Sequence, residues 1–359
     1  MSEINTHLCE HAPQRLERLL RIVFGQIRKL LSDRTNARWA YWDAIRERER
    51  DAREWKRAPV KEGDRTLVQR VLDSINASIA QAKNGAPEDS RRFLEALQTK
   101  IRPVPFYRES WLLLESMLNA ALSYSYYRLR LIDLAEVTIR NAMSVDEELE
   151  TSYGWHSRHL HRIHMVENRA RVYFRSGALD KCVSVLLPLL IYLGGSCDDV
   201  PFPGRWSREM LEKVDRPDLE IKALGICTAL AVACTDLSPE SWTHHRDLIV
   251  AGSHSQMPLL SEPSSVKYWL RSKEMLLLNR DDEYSQVLEE WLRSDARISP
   301  DLFGATLLDV KAVASRNGLL STFLAEIQEG VHLWKEHGQH GLGTFSQSLN
   351  DVISARLAI

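Results

Sequence analysis

The sequence lacks the short motifs that mark most nucleotide-binding and hydrolytic sites. It contains no glycine-rich phosphate loop, no GxGxxG fingerprint and no GxSxG nucleophile turn. These absences exclude the common phosphate-loop, dinucleotide-binding and α/β-hydrolase sites. We therefore expect no cofactor, and the sequence favours a protein without catalytic activity.

Cysteine is scarce, and no two cysteines form a CxxC pair. The five cysteines stand at positions 9, 182, 197, 227 and 234. An odd number at wide spacing is typical of reduced thiols rather than of a disulfide framework. This pattern predicts a cytoplasmic protein, in which Cys227 and Cys234 are small buried core residues.

Neither an excess of one charge nor a long apolar run is present. The 47 basic and 49 acidic side chains give a net charge of −2, so nucleic acid is not an expected partner. The longest apolar run, from Val183 to Leu193, contains Pro188 and falls short of the ~20 residues that span a bilayer. The N-terminus has no pattern of a secretory signal, and no membrane association is predicted.

Strand patterns are also missing, whereas helical periodicity covers most of the chain. An apolar stripe near the N-terminus recurs every three or four residues. It consists of Leu16, Leu19, Leu20, Val23, Phe24, Ile27, Leu30 and Leu31. A further segment at 39–55 mixes aromatic and charged residues, and Pro103 and Pro105 mark a boundary. The sequence predicts an all-α protein with an N-terminal helical region, 1–105, followed by a domain of helical hairpins, 106–359.

Two segments of that second domain resemble the tetratricopeptide-type helical repeats. Such repeats carry small and aromatic residues at fixed places on two helices, with a turn between them. The segment 166–189 provides Ala170, Tyr173, Gly177 at the turn, Cys182, Leu186 and Leu189. The segment 119–142 provides Ser123, Tyr126, Ala135, Ile139 and Ala142, with Arg130 in place of the turn glycine.

The resemblance implies an α-solenoid of stacked hairpins that binds another protein in a groove. The repeat is irregular, since Cys182 follows Ala135 by 47 positions (182 − 135) rather than by about 34. We assign the extra length to an acidic loop at 146–150 and to the region of Trp155. The resemblance further implies a backbone conformation at Gly177 that strains other residues.

A polar cluster stands out between residues 155 and 167. Four of the twelve histidines lie between positions 156 and 164, together with two arginines. The phasing predicts that this cluster faces the groove and binds an acidic partner. Its members are His156, Arg158, His159, Arg162 and His164. A metal site is geometrically possible with Glu167, but the spacings of known helical metal sites are absent, so no metal is predicted.

The same segment resembles the motif of the HEPN ribonucleases, in which an Arg and a polar residue precede a His. Arg158, His159 and His164 occupy the corresponding places. The resemblance implies that Arg158 would stabilise charge on a phosphate and that His164 would act as acid and base without a metal.

The sequence thus supports two hypotheses. The first is a non-enzymatic adaptor, regulator or inhibitor, with an immunity protein as one form, that holds another protein. The alternative is a metal-independent, HEPN-like ribonuclease. The oligomeric state is left open.

Overall fold

A computed structural model describes residues 12–32, 59–196, 200–235, 237, 239–296 and 299–338. Within these ranges the chain forms fourteen helices and no β-strand, which confirms the predicted all-α class. The segment 39–55, Cys9 and Cys197 lie outside the described residues.

Short connections join most of the helices. The helices are α1 (Ala12–Ser32), α2 (Glu62–Lys83), α3 (Pro87–Ile101), α4 (Arg108–Arg128), α5 (Ile132–Tyr153), α6 (Arg158–Arg175), α7 (Leu179–Leu193), α8 (Arg208–Glu212), α9 (Arg216–Cys234), α10 (Pro239–His254), α11 (Ser265–Leu277), α12 (Asp281–Arg293), α13 (Pro300–Arg316) and α14 (Leu320–Gly338). The acidic segment 146–150, predicted as a loop, lies inside α5 instead. Buried Ala142, Met143 and Leu149 continue the helical period through it, so that prediction was wrong.

The chain divides into two compact units. The first unit comprises Met1–Glu47, Ala223–Gln256 and Leu260–Ile359, and the second comprises Arg48–Lys222 and Met257–Leu259. The predicted boundary near residue 105 therefore falls within the second unit, between α3 and α4.

The second unit is a series of helices that each pack on the next. Neighbouring helices from α2 to α7 are in contact, and α2 also packs on α4. Ala121, Ala135 and Ala142 are fully buried in the hairpin of α4 and α5. Small side chains of this kind let the backbones of two helices approach closely.

The first unit joins helices that are far apart in the sequence. Helix α1 packs on α12 and α14, and the rings of Phe24 and Phe323 stack with centroids 5.1 Å apart. The predicted stripe is buried from Leu16 to Ile27. Cys227 and Cys234 are buried in the same unit, as predicted.

Five of the helix-to-helix turns share one geometry. Each has one residue with a positive φ, followed by a residue whose N–H donates to the carbonyl five positions earlier. The left-handed residues are Gly85, Arg130, Gly177, Asn279 and Gly318. The expected strained conformation at Gly177 is confirmed, with φ at 77°. Arg130 adopts the same conformation, with φ at 61°, although it carries a side chain.

In the part of the chain that the structure describes, no helix combines the length and the apolar character needed to cross a membrane.

Candidate functional site

The polar cluster of α6 faces two carboxylates of α5. Asp146 and Glu150 lie one turn apart on α5, and Arg158 and Arg162 lie one turn apart on α6. Residues of this spacing share a helix face, so the packing of α5 on α6 brings two acids against two bases. All four side chains are buried, at most 4% exposed. Charges removed from water to this degree must be paired.

Asp146 is the centre of the first half of this buried network. Its carboxylate accepts from Arg158 Nε at 2.8 Å and from Ser116 Oγ at 2.7 Å, and it lies 2.6 Å from His161 Nδ1. His161 Nδ1 also lies 2.7 Å from Arg158 Nη2, so this imidazole contacts both members of the ion pair. Burial raises the pKa of Asp146, but Arg158, His161 and Ser116 together outweigh it and hold the pKa below its usual range.

Glu150 is the centre of the second half. It accepts from Arg162 Nη1 at 2.9 Å and lies 3.2 Å from His159 Nδ1. Burial raises the pKa of Glu150, but the hydrogen bonds and charges of His159 and Arg162 lower it by more. The carboxylate is therefore ionised, and His159 Nδ1 donates to it.

The other ring nitrogen of His159 contacts a tyrosine. His159 Nε2 lies 2.8 Å from the Tyr192 hydroxyl, and that hydroxyl donates to the Ser207 carbonyl at 3.0 Å. The second half thus places Arg162 and His159 against Glu150, and Glu147 lies 3.8 Å from Arg162.

The segment 200–207 covers the second half of the network. The guanidinium of Arg162 lies 4.4 Å from the centroid of the Trp206 ring, in cation–π geometry. The Arg205 N–H donates to Glu147 Oε1 at 2.7 Å. Gly204 has φ at 94°, and a Cβ there would overlap Glu147 Oε2 and lie 2.8 Å from Arg162 Nη2. Glycine is therefore required where this segment crosses the ion pairs.

His164 belongs to a separate, partly exposed group. Its Nδ1 lies 3.4 Å from Glu167 Oε2, and Glu167 also pairs with Arg171 and, at 3.9 Å, with Lys222. Burial of the imidazole lowers the pKa of His164 to about 4, against the opposing effect of Glu167. The ring is therefore neutral near pH 7.

The structure distributes the predicted groove residues over different environments. Arg158, His159 and Arg162 are buried in the network, whereas His156 and His164 are partly exposed. A binding role for the five stays a prediction, and direct contact with a partner is open only to the two partly exposed histidines. Arg158 and His164, the two residues of the ribonuclease alternative, bind different carboxylates.

Sequence reasoning missed the residues that complete this network. These are Ser116, Asp146, Glu150, Tyr192 and Trp206. One signal was available, because Asp146 and Glu150 stand one turn apart on a helix face that otherwise carries apolar residues. The other three come from α4, α7 and the segment 200–207, and their proximity depends on tertiary packing.

The first unit contains a second buried charge pair. Lys273 is 2% exposed, and its Nζ donates to Asp309 Oδ1 at 2.5 Å. The ammonium lies 5.6 Å and 5.8 Å from the ring centroids of Trp242 and Trp269. Burial raises the pKa of Asp309 above its usual value despite the opposing charge of Lys273. Tyr284, also fully buried, has its pKa raised by burial and then by Asp309.

Both the buried network of the second unit and the Lys273–Asp309 pair of the first unit are rich in charge but largely shielded from solvent. Among the described residues, no three His, Cys, Asp or Glu side chains are placed to hold a metal ion. No known family model, curated protein or solved structure matches this chain.

Proposed function

We propose that this chain is a non-enzymatic protein-binding protein, an adaptor, regulator or inhibitor, built from stacked hairpins of the tetratricopeptide type. An immunity protein is one form of such an inhibitor. The succession of helix pairs with matching left-handed turns supports the solenoid architecture. In such arrays the faces that do not contact the next hairpin are available to partners.

The buried network supports a structural rather than a catalytic role for the polar cluster. A catalytic acid, base or phosphate-binding arginine must reach the substrate. Arg158, His159 and Arg162 are instead buried against carboxylates of α5 and the Tyr192 hydroxyl. We infer that the cluster fixes α4, α5, α6 and α7 in one arrangement, so that the surface they carry is rigid.

The observation that carries the proposal is an exposed apolar stripe at the start of α5. Leu131, Leu134 and Val137 are 43%, 47% and 43% exposed, although they lie on three successive turns of one helical segment. A contiguous row of large apolar side chains in water costs free energy unless a partner covers it. Within the described ranges eight large apolar residues are exposed, and of these Leu248 alone belongs to the first unit.

Site-specific cross-linking in the native lysate tests this proposal. A photoreactive benzoylphenylalanine at position 134 is expected to form a covalent adduct with a protein partner in high yield. Mass spectrometry of the adduct then identifies the partner and its contact residues.

The same reactive residue at position 248 is the matched control, because Leu248 is also an exposed leucine on a helix, 41% exposed. Adducts from position 134 only would support the stripe as the binding surface. Equal yields at the two positions, or no protein adduct at position 134, would refute it.

A further inference from the structure

The exposed face of α5 carries opposite charges on either side of its apolar centre. Asp133 and Arg140 are seven residues apart, which is two helical turns, so they lie on the same flank of the helix. Val137 lies between them along the axis, and Leu134 and Asn141 form the other flank. All five side chains are exposed.

The charged flank has no counterpart in the rest of the described chain. Helix α5 packs on α4 and α6 through its opposite side, which includes Ala135, Ile139 and Ala142. Neither Asp133 nor Arg140 forms an ion pair with another described residue, whereas Glu136, between them, pairs with Arg169 at 3.8 Å.

This pattern is complementary to itself when two α5 helices lie antiparallel about a two-fold axis at Val137. With a rise of ~1.5 Å per residue, Asp133 lies ~6 Å before Val137 and Arg140 lies ~4.5 Å after it. The two-fold axis places the Asp133–Arg140 flanks of both helices on the same side of the pair. It also makes the two helices run in opposite directions. Asp133 of one copy therefore faces Arg140 of the other at nearly the same height, and the pair occurs twice.

A parallel two-fold arrangement lacks this complementarity. It would place the flank of Asp133 and Arg140 opposite the flank of Leu134 and Asn141, so neither charge would meet an opposite charge. In the antiparallel arrangement Val137 of one copy packs on Val137 of the other at the axis. Leu134 of each copy adds an apolar contact on either side of it. The apolar row and the charges thus favour the same geometry.

We propose that a second copy of this chain covers the α5 face, with two-fold ion pairs between Asp133 and Arg140. The inference rests on the proposed function, because it names the occupant of the same stripe. A single pair of helices buries less area than the ~1,200 Å² of a stable interface. The dimer is therefore weak, dissociates in the micromolar range and can be displaced by a tighter partner.

Two charge-reversal variants of the full-length protein test the proposal. Asp133→Arg leaves only arginines on the flank, and Arg140→Asp leaves only aspartates. By analytical ultracentrifugation, each variant alone should dimerise at least about tenfold more weakly than the wild type, a change of ~1.4 kcal/mol. An equimolar mixture of the two variants should dimerise again, because the ion pairs re-form between unlike copies.

Asp89→Arg is the matched control, since Asp89 is an exposed acid in the first turn of α3 as Asp133 is in α5. It should leave the dimer unchanged. A wild type that stays monomeric at several hundred micromolar, or a mixture that does not regain dimer, would overturn the second copy as occupant. Cross-linking at position 134 separates the hypotheses, because a hetero-protein adduct there would preserve the proposed function while this inference fails.

Discussion

The two units bury positive charge in different ways. In the second unit, the carboxylate of Asp146 receives hydrogen bonds from Arg158, Ser116 and His161. In the first unit, Asp309 has Lys273 as its donor. The pKa of Asp146 is lowered, whereas the pKa of Asp309 is raised, although burial acts in the same direction on both.

The two carboxylates differ in the groups that donate to them. A guanidinium presents several N–H groups in a fixed plane, and Ser116 and His161 are further partners of Asp146. Lys273 presents a compact ammonium to both oxygens of Asp309. The surroundings of Asp146 therefore favour the ionised carboxylate, whereas burial disfavours it at Asp309.

Asp146→Ala should have the largest effect on stability. It leaves Arg158 buried without its carboxylate and removes the acceptor of Ser116 and His161. Loss of one partner of a buried ion pair costs about 3–5 kcal/mol. Urea denaturation at pH 7, followed by circular dichroism, measures the change in the free energy of unfolding.

Glu148→Ala on the same helix is the control. Glu148 pairs with Arg108, but both side chains are at least 40% exposed, so the expected loss is below ~1 kcal/mol. Equal losses for the two substitutions would show that the buried network does not stabilise the second unit.

Lys273→Met should have a smaller effect that depends on pH. Without the ammonium, Asp309 can take up a proton and stay buried as a neutral acid. We expect a loss of about 1–3 kcal/mol at pH 7 and a smaller one at pH 5. Urea denaturation at both pH values measures it.

The direction of this pH dependence follows from the raised pKa of Asp309. A carboxyl group whose folded-state pKa lies above the unfolded value of 3.8 favours folding below that value, and the benefit is lost as pH rises through the folded pKa. Asp146, with a lowered pKa, behaves in the opposite way, and its contribution is lost as pH falls below 3.8. Lys213→Met, which removes an exposed ion pair with Glu209, should show no such pH dependence. If Lys273→Met were equally destabilising at pH 5 and pH 7, Asp309 would not be the titrating group.

Much of the fold was accessible from the sequence because helical periodicity is local. The all-α class was predicted from this periodicity, and the described residues form fourteen helices. The conformation of Gly177 was predicted from its place at a turn. Both features depend on neighbouring residues only.

The buried network was not predicted because its partners are set by packing between helices. The sequence indicated that Arg158, His159 and Arg162 cluster, but not that Asp146 and Glu150 lie opposite. The same limit applies to α1, which packs on helices near the other end of the chain. Periodicity identifies an apolar face without naming what covers it.

The turns provide a finer comparison between the units. Among the five turns, each unit has glycine at some and a larger residue in the left-handed conformation at one. The second unit has Gly85 and Gly177, with φ at 98° and 77°, and Arg130, with φ at 61°. The first unit has Gly318, with φ at 70°, and Asn279, with φ at 54°. Asparagine tolerates this conformation better than arginine does, so the two units differ in the strain that their turns hold.

Substitutions at these turns should have small effects of opposite sign. Arg130→Gly relieves the strain of a side chain at positive φ and should stabilise the protein by up to about 1 kcal/mol, partly offset by the greater freedom of glycine in the unfolded chain. Asn279→Gly should gain less, since asparagine is less strained there. Gly177→Val places a β-branched residue in the same conformation and should cost about 1–3 kcal/mol. The melting temperatures of the three variants, compared with that of the wild type, give the order of these stability changes. If Arg130→Gly were destabilising, the arginine side chain would contribute a contact that exceeds the backbone strain.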